Sequence, residues 1–393
     1  MRVPRVLRFR IVDLYMGLIC FYPITTVLID GTMINKLMFA AMVALQIYMY
    51  IKAGMKRKTV MLLGWMVLQY AFVLFHTKFP LINANLLFYY PFFMMYTSFL
   101  IDNQGTVIKW LKEHKDYIHG IVMIWSVIVG VSIFVPGCYY VKEGGASYFG
   151  SWTSDIFRLG PSVMFIQILV IVLQMMHKQK YALAYMIIPM YCVLMGSSRT
   201  YLVVSALLLV ISWYFSCKKK VYFWLTLLPV LVFFALMLTN SAIGDKILFT
   251  LDENRYGDFW FRVTSSRSVL WETSFDAWNQ LPVLNKVLGC DINLTYRVTD
   301  RWAHNDFIEL LCSFGIVGVI QYIAAMSGMV KNSWKDAYLP WLIKTSVIMV
   351  WLFNAFFNMH YVYFCAMLSF PFLVFAVRSV PENYTANRNA KKL

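Results

Sequence analysis

Charged side chains are scarce in this chain: 14% of its 393 residues, against 60% hydrophobic. That balance excludes a soluble globular protein and implies a polytopic membrane protein. The seven cysteines (Cys20, Cys138, Cys192, Cys217, Cys290, Cys312, Cys365) show no CxxC spacing, which argues against a zinc or redox motif. Only Cys138 and Cys290 fall in expected outer loops, so at most one disulfide has a place. The long polar segment holds no DxD, HExxH or Walker sequence, so no metal and no cofactor are expected. No small-residue cleavage site follows the basic start (Arg2, Arg5, Arg8, Arg10), so the first apolar run reads as a retained helix rather than a signal peptide. Internal repeats and low-complexity segments are also lacking.

What is present is a series of twelve apolar segments of spanning length. They lie near 11–29, 34–51, 59–76, 81–101, 118–136, 156–176, 181–196, 200–216, 221–239, 303–329, 339–357 and 361–378. The expected fold is an all-α, polytopic membrane protein forming one integral domain over 1–393. With the N-terminus in the cytoplasm, every inside segment carries at least two basic residues, such as Lys56, Arg57 and Lys58, or Lys109, Lys112 and Lys115. Both termini are then cytoplasmic, as the positive-inside bias requires. The net charge of +16 therefore reads as a topology signal and an attraction to membrane lipids, with no nucleic-acid partner.

One polar excursion, 240–302, interrupts this pattern and falls outside on the same count. Its arginines run against the charge bias; local pairing with its acidic residues is the plain explanation for most of them. Within it, Val269, Leu270, Trp271, Phe275 and Trp278 recur at helical spacing, with Glu272 and Asp276 opposite. This predicts an interfacial amphipathic helix over 266–278, capped by Ser265 or Ser266, with Arg267 near headgroup level and Pro282 beyond its end. The segment 137–155, rich in glycine and aromatics, reads as a flexible outer loop with interfacial anchors or a sugar-facing surface.

Five positions near the expected outer face could carry chemistry. His304 opens the tenth span, where a neutral imidazole can take a proton from a hydroxyl; its plain use is as a helix cap. Asn305 follows, and Glu309 lies one turn beyond Asn305 on the same face. Arg199 stands in the tight turn Gly196-Ser-Ser-Arg-Thr200, where it could equally anchor to lipid headgroups. Arg158 opens the sixth span, three residues after a natural partner, Asp155. Three arginines expected at one membrane face suit an anionic ligand that itself resides there, and a lipid diphosphate is the natural candidate. Gly315 and Gly318 read as close-packing sites between helices, and Asn354, Asn358 and His360 as interhelical packing, with contact to substrate as the alternative.

In order, the stretches Arg158-Leu-Gly-Pro161, Gly196-Ser-Ser-Arg-Thr200, Ser266-Arg-Ser-Val-Leu-Trp271 with Leu288-Gly289, and His304-Asn305 leading to Phe314-Gly-Ile-Val-Gly318 resemble the O-antigen polymerase (Wzy) and O-antigen ligase superfamily of bacterial membrane glycosyltransferases. The resemblance covers roughly 155–320. It departs from the family after the loop helix, where glycine-x-glycine is replaced by Leu288-Gly289-Cys290-Asp291. It implies glycan transfer from a polyprenyl-diphosphate-linked oligosaccharide on the outer side of the bacterial inner membrane. On this resemblance His304 is the general base, and Arg199 and Arg267 bind the diphosphate, with Arg158 as a third cation. A chain-length regulator and a flippase would be its partners. Polymerase is the first expectation and ligase the second. A lipid-oligosaccharide flippase, which would need charges deep within several spans, and a peptidoglycan-type polymerase come after.

Overall fold

A computed structural model describes residues 10–29, 32–82, 86–141, 147–153, 155–179, 181–196, 198–217, 221–226, 257–334 and 340–379, with 229, 232, 236 and 244 as single positions. Most of the expected ninth span at 221–239, the excursion up to 256, the first nine residues and the tail after 379 lie outside them, as do Gly144 and Gly145.

The chain forms an all-α membrane protein. Its helices are α1 (Ile11–Ile29), α2 (Met33–Ala53), α3 (Arg57–His76), α4 (Leu86–Asp102), α5 (Gln104–Glu113), α6 (Lys115–Ser132), α7 (Ile156–His177), α8 (Ile187–Gly196) and α9 (Arg199–Ser216). Within the polar excursion lie α10 (Phe259–Thr264), α11 (Arg267–Asn279), α12 (Val283–Leu288) and α13 (Leu294–Thr299), and after it α14 (Asp306–Trp334), α15 (Trp341–Phe357) and α16 (Phe364–Arg378). Among the described residues six helices are long and apolar enough to cross a membrane: α1, α2, α3, α7, α9 and α14. Four further apolar helical segments are shorter.

Apolar character all round a helix places it either in the centre of a bundle or against lipid, and both occur. On α7 every residue from Leu159 to Leu173 is buried, and on α16 every residue from Cys365 to Val377. These two pack together as the axis of the molecule. On α2 and α3 the side chains of Met33, Ile34, Leu37, Ile51, Trp65, Leu68 and Phe75 stand exposed, a surface that water would not tolerate and lipid does. Buried hydroxyls and amides tie the helices where apolar packing alone has no direction. Trp125 Nε1 donates to Ser162 Oγ at 2.7 Å, which donates to the Pro23 carbonyl at 2.9 Å, joining α6, α7 and α1. At the other end of α7, Ser212 Oγ donates to Gln174 Oε1 at 2.6 Å, and Gln174 Nε2 donates to Ser216 Oγ at 3.0 Å.

The long helix α14 is broken. Gly315 has φ +64° inside it, a left-handed conformation that L side chains avoid. The carbonyls released by the break are met from outside the helix: Cys290 N donates to Ser313 O at 3.3 Å, and Gln69 Nε2 of α3 donates to Phe314 O. Gly315 therefore marks a helix break, and it also permits a close approach, since a Cβ there would lie 2.5 Å from the carbonyl oxygen of Val287 at the end of α12.

The described part of the excursion packs onto the bundle. Ile292 N donates to Thr77 Oγ1 at 3.4 Å, and Arg297 donates to the carbonyls of Lys78 and Pro80 while pairing with Asp291 at 2.7 Å. Local pairing with an acid thus holds for Arg297. Arg262 donates to the Gly257 carbonyl at 2.8 Å. The expected loop helix exists as α11, but its faces differ from the prediction. Ser274 is its buried residue, and Val269 and Phe275 are exposed beside Glu272 and Asp276. Its first turn is capped by Thr264 Oγ1, which accepts from Ser268 N at 3.0 Å; the expected caps Ser265 and Ser266 both adopt positive φ instead. The segment 137–155 contains a short antiparallel hairpin, Tyr139–Val141 against Ser147–Phe149, whose aromatic side chains pair across the strands. All seven cysteines are free thiols.

Candidate active site

The strap 300–305, between α13 and α14, carries His304. Both Asp300 (φ 56°) and His304 (φ 51°) are left-handed, a conformation that costs an L residue roughly 1–3 kcal/mol unless its surroundings hold it. They do. The buried Ala303 peptide is gripped at both ends: its N–H donates to Glu309 Oε2 at 3.3 Å, and its carbonyl accepts from Trp271 Nε1 at 2.7 Å. Asn305 Oδ1 accepts from the amides of Phe307 and Ile308 at 2.9 and 3.2 Å, capping α14. Asn305 and Glu309, expected as supporting residues, thus act as cap and backbone clamp of the histidine turn.

The His304 ring stacks on Phe157 of α7, centroids 6.0 Å apart. Its Nδ1 is buried and has no hydrogen-bond partner among the described residues. Burial, then the nearby charges of Arg267 and Arg301, push the imidazole down to about 4, so it is neutral at pH 7. His360, in the link between α15 and α16, is fully buried and pushed to about 3 by burial alone. Of these two neutral imidazoles, only His304 has both partial exposure and cations beside it.

Arg267 and Arg199 both donate to main-chain carbonyls. Arg267 Nη1 donates to the carbonyl of Phe357, the last residue of α15, which also accepts from Thr200 Oγ1 at 3.2 Å. Arg199 donates through Nη1 and Nη2, both at 3.2 Å, to the Arg262 carbonyl in the last turn of α10, and also to Ser265 Oγ. A helix C-terminus is partially negative, so a guanidinium there is well placed. Burial and the like charge of Arg199 hold the Arg267 guanidinium below its ordinary value. For Arg267, an anion would balance its burial better than the neutral carbonyl it meets. Arg267 acts on His304 and Arg199 acts on Arg267, so the three form one electrostatic cluster. Arg158 stands exposed beside Phe157, and its charge, like that of Arg267, acts on the phenol of Tyr363, which burial pushes up to about 12.

Sequence stretches far apart interlock to build this end of the bundle. A Cβ added at Gly160 would lie 2.7 Å from Tyr201 Cγ, so the ring that follows Arg199-Thr200 seats on the glycine of Arg158-Leu-Gly-Pro161. That contact presses α7 against α9 and brings Phe157 and Arg199 to the same end.

Arg267 is directed at the Phe357 carbonyl, and α11 turns its Arg267–Trp271–Ser274 face inward. Asp155 uses Oδ1 to accept from Phe157 N at 2.9 Å and so serves as the N-cap of α7. Sequence reasoning missed Phe157, which cushions the imidazole, and Trp271, read only as an apolar position. It also missed Asp306, which is fully buried and receives Tyr322 Oη at 2.5 Å, itself bound by Trp351 Nε1 at 3.0 Å. The i,i+4 spacing of Arg267 and Trp271 was a usable signal for a shared face; Phe157 and Asp306 had none.

Compared with protein-family models and with curated proteins, the chain finds no match.

Proposed function

We propose that this protein is a membrane glycosyltransferase of the O-antigen polymerase type, which transfers glycan from a polyprenyl diphosphate donor to a hydroxyl of a lipid-linked repeat unit. The observation that carries the reading is one neutral imidazole, His304, within the field of Arg267, which in turn lies within that of Arg199, at one end of an apolar bundle. In the reaction His304 takes the proton of the acceptor hydroxyl while its oxygen attacks the anomeric carbon. The bond from that carbon to the diphosphate breaks, and the diphosphate departs with the electron pair. Arg267 and Arg199 offset its charge, which a planar guanidinium does well. Attack opposite the leaving group inverts the anomeric centre. Arg158 lies at the rim as a third cation for the donor.

This reading carries a topology of twelve spans, both termini in the cytoplasm of a bacterium and the 240–302 excursion outside the inner membrane. The loop charges support it, as does the packing of α10 to α13 over the end that holds His304. Its partners are membrane lipids, a chain-length regulator and a flippase, and no nucleic acid. Purified protein incubated with lipid-diphosphate-linked repeat unit alone tests it. A ladder of products is expected. Reaction only after a second acceptor is added would instead make the protein a ligase, and no transfer under either condition would overturn both.

A further inference from the structure

Arg267 and Trp271 stand one turn apart on α11, and each ends on a backbone carbonyl of a different segment. Arg267 reaches Phe357 O at the end of α15; Trp271 Nε1 reaches Ala303 O at 2.7 Å in the strap before His304. The Trp271 ring also faces the Phe357 ring, with centroids 6.2 Å apart. One face of a short helix therefore spans from the diphosphate-side cation to the peptide that carries the imidazole.

An indole donates one hydrogen bond and accepts none, so this contact is directional. It fixes the Ala303 carbonyl, and with it the plane of the Ala303–His304 peptide. Because His304 is held left-handed, a small rotation of that peptide swings its ring off Phe157 and away from Arg267. Glu309 holds the other end of the Ala303 residue, at its N–H, but Glu309 belongs to α14 and has no link to Arg267. Trp271 alone among these contacts shares an element with the cation.

Resting on the glycosyl-transfer reading above, we propose that Trp271 is a positioning residue: its indole N–H keeps the His304 imidazole in register with Arg267. It touches neither donor nor acceptor. Its loss should lower turnover and leave donor binding alone, since misplacement of a base by about 1 Å costs on the order of 100-fold in rate.

The test uses the full-length protein with Trp271→Phe, which keeps the ring and removes the N–H. Should that variant fold poorly, replacement of Trp271 by its benzothiophene isostere removes only the donor. Four quantities are read: kcat and KM for the lipid-linked donor, binding of polyprenyl diphosphate, and the rate at which diethylpyrocarbonate acylates His304 without substrate, mapped by mass spectrometry. The expected result is kcat lower by about 10- to 100-fold, unchanged KM and diphosphate binding, and a changed His304 acylation rate. Unchanged kcat with unchanged acylation would overturn the proposal, as would a rise in KM at constant kcat. If wild-type protein transfers no glycan while the variant still alters His304 reactivity, the positioning role stands and the glycosyl-transfer reading falls.

Discussion

Gly289 and Gly315 meet backbone to backbone. A Cβ added at Gly315 would come 2.6 Å from the Gly289 amide nitrogen and 2.5 Å from the Val287 carbonyl oxygen, and one added at Gly289 would come 2.7 Å from Phe314 Cα. Both residues have positive φ, +96° and +64°. Here the loop that precedes the histidine strap docks into the break of α14.

Gly315→Ala should therefore weaken the protein by roughly 1–3 kcal/mol from backbone strain alone, with a further cost from the clash. Thermal unfolding in detergent should show a lower midpoint for this variant. Gly105→Ala, at a position with nothing within 4 Å, should leave the midpoint close to wild type.

His304→Ala should lower transfer by about 10²- to 10⁴-fold, the usual contribution of a general base, while the protein still reaches the membrane in normal amount. Product ladders and immunoblots of membrane fractions measure the two. Normal polymer from this variant would remove His304 from the chemistry.

Arg267→Lys should be nearly as damaging as Arg267→Ala. An ammonium cannot reproduce the planar fork that binds two phosphate oxygens, nor hold the Phe357 carbonyl in the same geometry. Steady-state kinetics of both variants with the lipid-linked donor decide it, and a Lys variant at wild-type rate would contradict bidentate binding.

The pH profile should separate free and donor-bound protein. Without donor, burial and the Arg267 and Arg301 charges hold His304 near 4, so the base stays neutral down to that pH. A bound diphosphate places negative charge beside Arg267 and raises the imidazole. The acid limb of kcat should then lie at higher pH than that of kcat/KM for the donor. The same depression has a stability consequence. From the ordinary value of 6.5 down to about 4 the unfolded histidine binds a proton that the folded one refuses, so stability is lost as pH falls through that window. The loss should be smaller in His304→Gln, measured by unfolding at a series of pH values.

A chelator such as EDTA should leave transfer unchanged, because Arg199 and Arg267 supply the charge that a divalent ion would otherwise provide. Loss of activity restored by magnesium would overturn that division of labour.

Much of the architecture was legible in the chain, and the reason is solvent. Lipid demands runs of about 20 apolar residues, so α1, α2, α3, α7 and α9 fall within a few residues of their expected bounds. The residues of the candidate site were legible by type, since a histidine and arginines at the ends of apolar runs are costly to keep there without a use. Their partners were not. Nothing local to Phe157 indicates that it lies under His304, and nothing in Phe314-Gly315 foretells a helix break, because the glycine pair Gly315 and Gly318 is equally at home in ordinary helix packing.

By itself the sequence determined that this is an apolar, helical, membrane-spanning chain with a handful of polar groups to explain. Hydrophobic period and charge bias are properties of single segments and need no neighbours to be read. Only tertiary structure decided that Arg267 turns inward, that Trp271 and Glu309 grip the same residue, and that a loop glycine fills the break in α14. Those outcomes depend on which carbonyls are left unpaired when separate helices end side by side, and that is a property of the assembled bundle alone.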